Sequence, residues 1–317
     1  MQTRQFGKTE MQITPIGIGA WAIGGGNWEF GWGSQEDTQS IKAIQRGLDL
    51  GINWIDTAAV YGLGHSEEVV GKAIKGRKQP YIFTKCSMVW DDKRNVGHSL
   101  KASSLRKEVE NSLKRLDIET IDLYQIHWPS PAEDIEEGWR TLAEFKKEGK
   151  VRHIGVSNFS VEQLKKIERI APVETLQPPY SLVHPDVDNE ILPYCKQKNI
   201  GVIVYSPMAS GLLSGTMTKE RIDKMPSDDW RKNDAEFQAP RLERNLKLAA
   251  LLTDIGFPHS VNAGVVAVAW TLQNPAVSAA IVGVRNVQQV EEMVNAAEFR
   301  LKETEIEQIN DFLRANP

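Results

Sequence analysis

The chain has 317 residues, of which 38 are basic and 42 acidic, so the formal charge is −4, with 41% apolar and 25% charged side chains. That mix is the usual one for soluble globular chains, and the near-neutral balance lacks the concentrated basic excess that nucleic-acid binding requires. The longest apolar run, at 265–270, is far below the roughly 18 residues of a membrane-spanning helix.

Residues 1–4 lead into ordinary polar sequence with no secretory apolar region. The two cysteines, Cys86 and Cys195, belong to no CxxC or Cys/His cluster. A disulfide scaffold or structural zinc is therefore not expected, and a reducing, cytoplasmic setting is.

Along the chain, short β-rich runs alternate with amphipathic stretches of helical period, the pattern of βα units and a parallel sheet. Residues 3–13 read as a small hairpin turning at Gly7-Lys8-Thr9 and plugging one end. Strands are expected at 16–19, 52–56, 81–85, 122–127, 151–157, 173–178, 201–206 and 279–283. Between them, Ile41, Ile44 and Leu48, then Leu105, Val109, Leu113 and Leu116, then Ile135, Trp139 and Leu142 recur three or four apart, one face of a helix each. Ser160 with Gln163 and Thr304 with Glu307 read as capping boxes, and Glu67 and Glu68 after Ser66 suit a first turn. A long charged, proline-containing loop is expected at 223–240, followed by an extra helix at 243–255 and another containing 265–272. Eight strands each followed by a helix predict an α/β fold, a closed (β/α)8 TIM barrel forming one domain over residues 1–317. An open doubly wound sheet is the competing architecture.

In such a barrel the chemistry sits where the strands end. Asp56 closes the second run, with Tyr61 five residues on; Lys85 closes the third and His127 the fourth. Ser157 and Asn158 follow the fifth, Gln177 lies in the sixth, and Tyr205-Ser206 end the seventh. A tyrosine is a poor acid at neutral pH unless its phenolate is stabilised. A nearby ammonium does so, an aspartate holds that lysine, and a histidine orients a carbonyl oxygen. The set suits protonating a carbonyl oxygen while hydride arrives at carbon. Each residue alone is more simply a solvated, paired or structural side chain; four at one rim argue for chemistry.

Gly17-Ile-Gly19-Ala-Trp21-Ala22 matches a relaxed dinucleotide fingerprint. The fingerprint needs a helix at once, whereas Gly24-Gly25-Gly26 intervene, so these glycines are expected to permit close backbone approach, with Trp21 edging the pocket. A better phosphate site is the turn Gly283-Val284-Arg285 before a helix starting near Asn286, where barrels often bind phosphate. Small residues at Gly211, Ser214 and Gly215 supply backbone N–H groups to the same side. The six histidines show no i,i+4 pair, and the acidic run after His184-Pro185 reads as a helix start, so no metal is expected. Trp21, Trp28, Trp32, Trp90 and Trp128 follow strands 1, 3 and 4, and loop tryptophans over a barrel mouth make an aromatic pocket. Of these Trp21, Trp28, Trp90 and Trp128 are the expected substrate-pocket residues.

These residues resemble the aldo-keto reductase family across essentially the whole chain. The motifs are Trp54-Ile-Asp-Thr-Ala58 through Tyr61-Gly62, Ser66-Glu67-Glu68-Val-Val-Gly71, Ile121-Asp-Leu-Tyr-Gln-Ile-His127, Gly149-Lys-Val-Arg-His-Ile-Gly-Val-Ser-Asn-Phe159 and Gln177-Pro-Pro-Tyr180. Further runs resemble the bacterial branch with general-stress reductases, itself similar to potassium-channel β-subunits. The resemblance implies a reductase using NADP(H) on a (β/α)8 barrel, without metal or flavin. It maps Tyr61 to the general acid, Lys85 and Asp56 to its tuning pair, and His127 to the orienting residue. Gly19, Trp21 and Asp56 edge the cofactor site. Ser157, Asn158 and Gln177 would hold the carboxamide, and Tyr205 would stack on the nicotinamide. Ser206, Met208, Gly211, Leu213 and Ser214 would line the pyrophosphate. Gly283 and Arg285 would meet the 2′-phosphate, Gln289 and Glu292 the adenine, with Arg231 clamping from the long loop. Met293 stands where the family often carries Asn, and Ala20 where Thr is common.

The substrate expected is a small-molecule aldehyde or ketone, with no nucleic-acid or membrane partner. The absence of a heptad run favours a monomer. One rival is an NADPH-binding redox-sensing module with little turnover, weighed down by the lack of an N-terminal extension. Another is a barrel aldolase with Lys85 as Schiff base, which leaves Tyr61 and His127 without roles.

Overall fold

The computed structural model describes residues 1–316. Its eight parallel strands close on themselves. In barrel order these are strand 1 (Ile16–Gly19), strand 2 (Trp54–Asp56), strand 3 (Tyr81–Cys86), strand 4 (Ile121–Ile126), strand 5 (Val151–Ser157), strand 6 (Thr175–Gln177), strand 7 (Gly201–Val204) and strand 8 (Ala279–Gly283). Strand 8 pairs with strand 1 through Gly283 and Gly19, completing the ring. The closed barrel displaces the open doubly wound alternative. Strands 2, 6 and 7 are shorter than their apolar runs because the ends of those runs leave the ladder to make loops.

The helices that follow are α1 (Asp37–Asp49), α2 (His65–Ile74), α3 (Ala102–Leu116), α4 (Ile135–Lys147), α5 (Val161–Ile167), α6 (Ile191–Lys198), α7 (Lys219–Asp223), α8 (Arg241–Gly256), α9 (Ala263–Gln273), α10 (Val287–Met293) and α11 (Glu303–Ala315). Outward strand residues such as Ile18, Ile55, Ile82 and Val156 pack under their apolar stripes in one continuous core. Ser160 and Gln163 form the expected capping box of α5. For α11 the expectation fails: the helix starts at Glu303, and Glu305 Oε2 accepts the N–H of Lys302 at 2.8 Å, so Thr304 lies inside the first turn.

Inside the barrel, the end away from the loops is apolar: Phe6, Met11 and Ile13 from the hairpin meet Trp54, Phe83, Leu123 and Ile203. The hairpin pairs Arg4–Gln5 with Gln12–Ile13, as the turn at Gly7 requires. The rejected fingerprint glycines are explained by this packing. A Cβ on Gly17 would lie 2.2 Å from the Trp54 ring, and one on Gly19 2.7 Å from Ile281. At both positions the missing Cβ makes room for a neighbouring side chain.

Candidate active site

The other end of the barrel interior is polar. Asp56, the last residue of strand 2, and Lys85 in strand 3 point inward, and both are buried. Lys85 Nζ donates to Asp56 Oδ1 at 2.6 Å, to the Thr57 carbonyl at 2.9 Å and to Tyr61 Oη at 3.4 Å. Asp56 Oδ2 accepts from Gln177 Nε2 at 2.8 Å. Tyr61 lies in the turn after strand 2, its N–H bonded to the Ala58 carbonyl. The His127 ring stands edge-on to Tyr61, with centroids 5.7 Å apart. All four expected residues therefore converge. Lys85 spends its three N–H donors on this set, which suits a charge-balancing ammonium rather than the neutral amine of an aldolase.

The electrostatics differ from the expectation in one respect. Tyr61 is pushed well above the usual phenol value, first by burial and then by the Asp56 charge. The sequence reading has Lys85 lowering it. In the structure the ammonium is ion-paired at 2.6 Å, so the field of the pair at the phenol is largely cancelled. Burial likewise raises Asp56 against the opposing pull of Lys85 and Gln177, and lowers Lys85 against that of Asp56. His127 is held well below the usual imidazole range by burial, then by the Lys85 and His98 charges, and is neutral at physiological pH.

A second network fixes the rim. Ser157 Oγ donates to the Gln177 carbonyl at 2.7 Å, and Asn158 Nδ2 to the His127 carbonyl at 3.0 Å. Tyr205 Oη donates to Asn158 Oδ1 at 2.9 Å. Asn158 takes a positive φ of 64° to make these contacts. Both ends of its amide are thus engaged within the protein.

From this floor opens a cavity of about 780 Å³. Gly19, Trp21, Asp56, Ser157, Asn158, Gln177, Tyr205, Ser206, Met208, Gly211, Ser214, Arg231, Gly283, Arg285, Gln289 and Glu292 all line it, as do Trp28 and Trp128. Of the expected cofactor and substrate-pocket residues, two do not. Leu213 is fully buried in the core under α8, and its N–H is bonded to the Met208 carbonyl. Trp90 sits at the far end of a ribbon, Met88–Trp90 paired with Val96–His98, which carries it away from the mouth to lie 5.9 Å from the Arg115 guanidinium.

The cavity also has walls that sequence reasoning missed: Phe30, Met88, His98, Thr216, Arg221 and Asn262. Trp32, one of the loop tryptophans expected over the mouth, lines it as well. Arg221 carried no signal, because nothing local marks which face of a short inserted helix meets the barrel. At that end three guanidiniums gather. Arg231 forks onto Asp229 at 2.9 and 2.6 Å and lies 4.4 Å over Trp32. Arg285 donates to Gln35 Oε1 at 2.7 Å and to the Ser34 carbonyl at 2.6 Å. Arg221 Nη1 donates to Thr216 Oγ1 at 2.8 Å. Asp229 pairs with Arg231, and the cavity beside the three guanidiniums is lined by Ser214, Thr216 and Gly211. The donor set fits a phosphate-bearing ligand.

Residues 15–314 match the aldo/keto reductase family. The chain belongs to the aldo/keto reductase family. It is 38% identical over 317 residues to the aldo-keto reductase YhdN of Bacillus subtilis (strain 168), covering 99% of this chain and 94% of that protein. It is 33% identical to the NADH-specific methylglyoxal reductase of Escherichia coli (strain K12), covering 96% of each. Among solved structures, a glycerol dehydrogenase from Gluconobacter oxydans superposes with a TM-score of 0.89 at 37% identity, covering 99% of this chain and 96% of that one. An aldo-keto reductase from Klebsiella pneumoniae in complex with NADPH gives 0.74 at 25% identity, covering 100% and 95%. This aldo/keto reductase is thus an oxidoreductase by family, with the family's barrel and with Asp56, Lys85 and Tyr61 brought together at the floor of its cavity.

Proposed function

We propose that this protein is an NADPH-dependent carbonyl reductase that converts aldehydes, with ketones as secondary substrates, to alcohols. The observation that carries the reading is the Tyr61 hydroxyl at the cavity floor, 3.4 Å from a lysine ammonium that is itself held by Asp56. The bound nicotinamide would supply the hydride. Tyr61 holds the proton that the substrate oxygen takes up. As that proton leaves, the Lys85 N–H that reaches Tyr61 Oη is the hydrogen-bond donor to the phenolate oxygen, and Asp56 holds the lysine in place. His127, neutral, donates an N–H to the same oxygen without competing as an acid.

Gln177, Ser157 and Asn158 would orient the cofactor's carboxamide edge, and Tyr205 would stack on its ring. Ser206, Met208, Gly211 and Ser214 would follow the pyrophosphate, and Gln289 and Glu292 the adenine. Arg285, assisted by Arg231 and Arg221, would recognise the 2′-phosphate, which is the basis for NADPH over NADH. The walls formed by Trp21, Trp28, Phe30, Met88 and Trp128 favour apolar or aromatic carbonyl compounds. A reducing compartment suits the two unpaired, buried cysteines, Cys86 and Cys195.

The test is titration of the purified protein with NADPH and with NADH by fluorescence, followed by addition of an aldehyde panel. Saturable NADPH binding and loss of reduced-nicotinamide absorbance with an aryl aldehyde is the expected result. Tight binding with negligible turnover across the panel would replace this reading with the redox-sensing one.

A further inference from the structure

We propose that Glu108, which stands outside the barrel on α3 and away from the reacting atoms, is a positioning residue that sets which carbonyl compounds the pocket accepts. The inference rests on the reductase reading above. Glu108 is buried, and its Oε2 accepts the backbone N–H of Ser87 at 2.9 Å while its Oε1 accepts from Ser104 Oγ at 3.1 Å. Ser87 is two residues beyond Lys85 and takes φ = 81°, a left-handed conformation that favours glycine. A strained non-glycine residue persists only where its surroundings hold it, and the Glu108 carboxyl holds the N–H of this one.

Ser87 is the point at which two walls of the cavity join. Directly after it the chain enters the ribbon Met88–Trp90, whose return strand is Val96–His98, and the Ser87 carbonyl accepts the Ser99 N–H at 3.0 Å, closing the base of that ribbon. Met88 and His98 from this ribbon line the cavity. On the other side, the Ser87 hydroxyl lies 3.4 Å from both the N and the O of Trp128, the exposed aromatic beyond His127. One carboxyl thus holds the residue that sets both the ribbon and the Trp128 edge. The reacting groups have other supports: Lys85 is held by Asp56 and Thr57, Asp56 by Gln177, and the His127 carbonyl by Asn158. Loss of the Glu108 contact therefore loosens the substrate walls and leaves the proton-donating set in place.

The experiment compares Glu108→Ala, Glu108→Gln and Ser87→Ala with the unaltered full chain. Each is assayed with benzaldehyde, which needs the walls, and methylglyoxal, which does not, and by amide hydrogen exchange over residues 87–99 and 127–130. Glu108→Ala is expected to raise KM for benzaldehyde about tenfold, to leave kcat/KM for methylglyoxal within about twofold, and to speed exchange in those two segments alone. Glu108→Gln keeps an acceptor of the same shape and should restore most of the benzaldehyde KM. Should the alanine variant fail to fold, Ser87→Ala removes only the Trp128 link and should still raise the benzaldehyde KM. Equal changes for both aldehydes, no rescue by glutamine, or unchanged exchange at 87–99 would overturn the proposal. If the unaltered protein reduces neither aldehyde, the reductase reading fails, while the exchange comparison still decides whether Glu108 holds the two walls.

Discussion

The surroundings of Tyr61 and His127 push the two groups in opposite directions. Burial and Asp56 keep the phenol protonated well above its ordinary 10.0, and burial with Lys85 and His98 keeps the imidazole neutral well below its ordinary 6.5. Neither group changes charge between those two values. We therefore expect kcat/KM for aldehyde reduction to be flat from about pH 6.5 to pH 9, measured at saturating NADPH. A limb centred between pH 7 and 8 would show that a different group carries the proton. Tyr61→Phe removes the donor and leaves the ring that stacks 6.1 Å from Trp21. Turnover should fall by roughly 10²–10⁴-fold, while NADPH affinity, read by fluorescence titration, stays close to that of the unaltered protein. That Asp56, Tyr61, Lys85 and His127 would meet was legible because strand ends in a barrel share one rim. The direction of the Tyr61 shift was not, because it depends on how tightly Asp56 closes on Lys85, a distance no spacing in the chain encodes.

At the scale of elements, local signals held where they were complete and failed where a neighbour supplied the missing part. Ser160 carries both halves of its capping box, accepting from Gln163 N while Gln163 Oε1 accepts from Ser160 N at 2.9 Å. Thr304 does not cap α11, whose first turn is closed by Glu305. Ser160→Ala should lower unfolding free energy by about 1 kcal/mol. Thr304→Ala should stay within about 0.5 kcal/mol. Urea unfolding of the two variants under the same conditions separates them, and a larger effect at Thr304 would reverse the assignment. The loops show the same dependence on partners. Trp21 stacks 5.4 Å from Trp230, and the Trp230 N–H meets the Gly31 carbonyl at 3.3 Å, so the loop after strand 1 and the long loop after strand 7 meet across the mouth. Trp32 enters the cavity through that meeting, whereas Trp90 leaves it through the ribbon, although both were plain loop tryptophans in the sequence.

For the molecule as a whole, the packed end of the barrel has glycines where aromatic side chains enter. A Cβ on Gly201 would lie 2.5 Å from Phe6, and one on Gly17 2.2 Å from Trp54. Gly201→Ala should therefore push the hairpin plug off the barrel and cost about 1–3 kcal/mol. Thermal unfolding would read this as a lowered midpoint with the aldehyde activity of the folded fraction retained. An unchanged midpoint would mean the plug moves freely and contributes little.

Alternating strand and helix periods, with polar residues at the strand ends, determined from the sequence alone the barrel class and the meeting of Asp56, Tyr61, Lys85 and His127 at one end of it. Both depend on local periodicity, and parallel βα units have few ways to close. The tertiary structure alone decided where the residues around the mouth point: Arg221 into the cavity, Leu213 into the core, Trp90 away, and Glu108 of α3 onto Ser87. Those outcomes depend on contacts between segments far apart in the chain, each too weak to leave a pattern in its own stretch of residues.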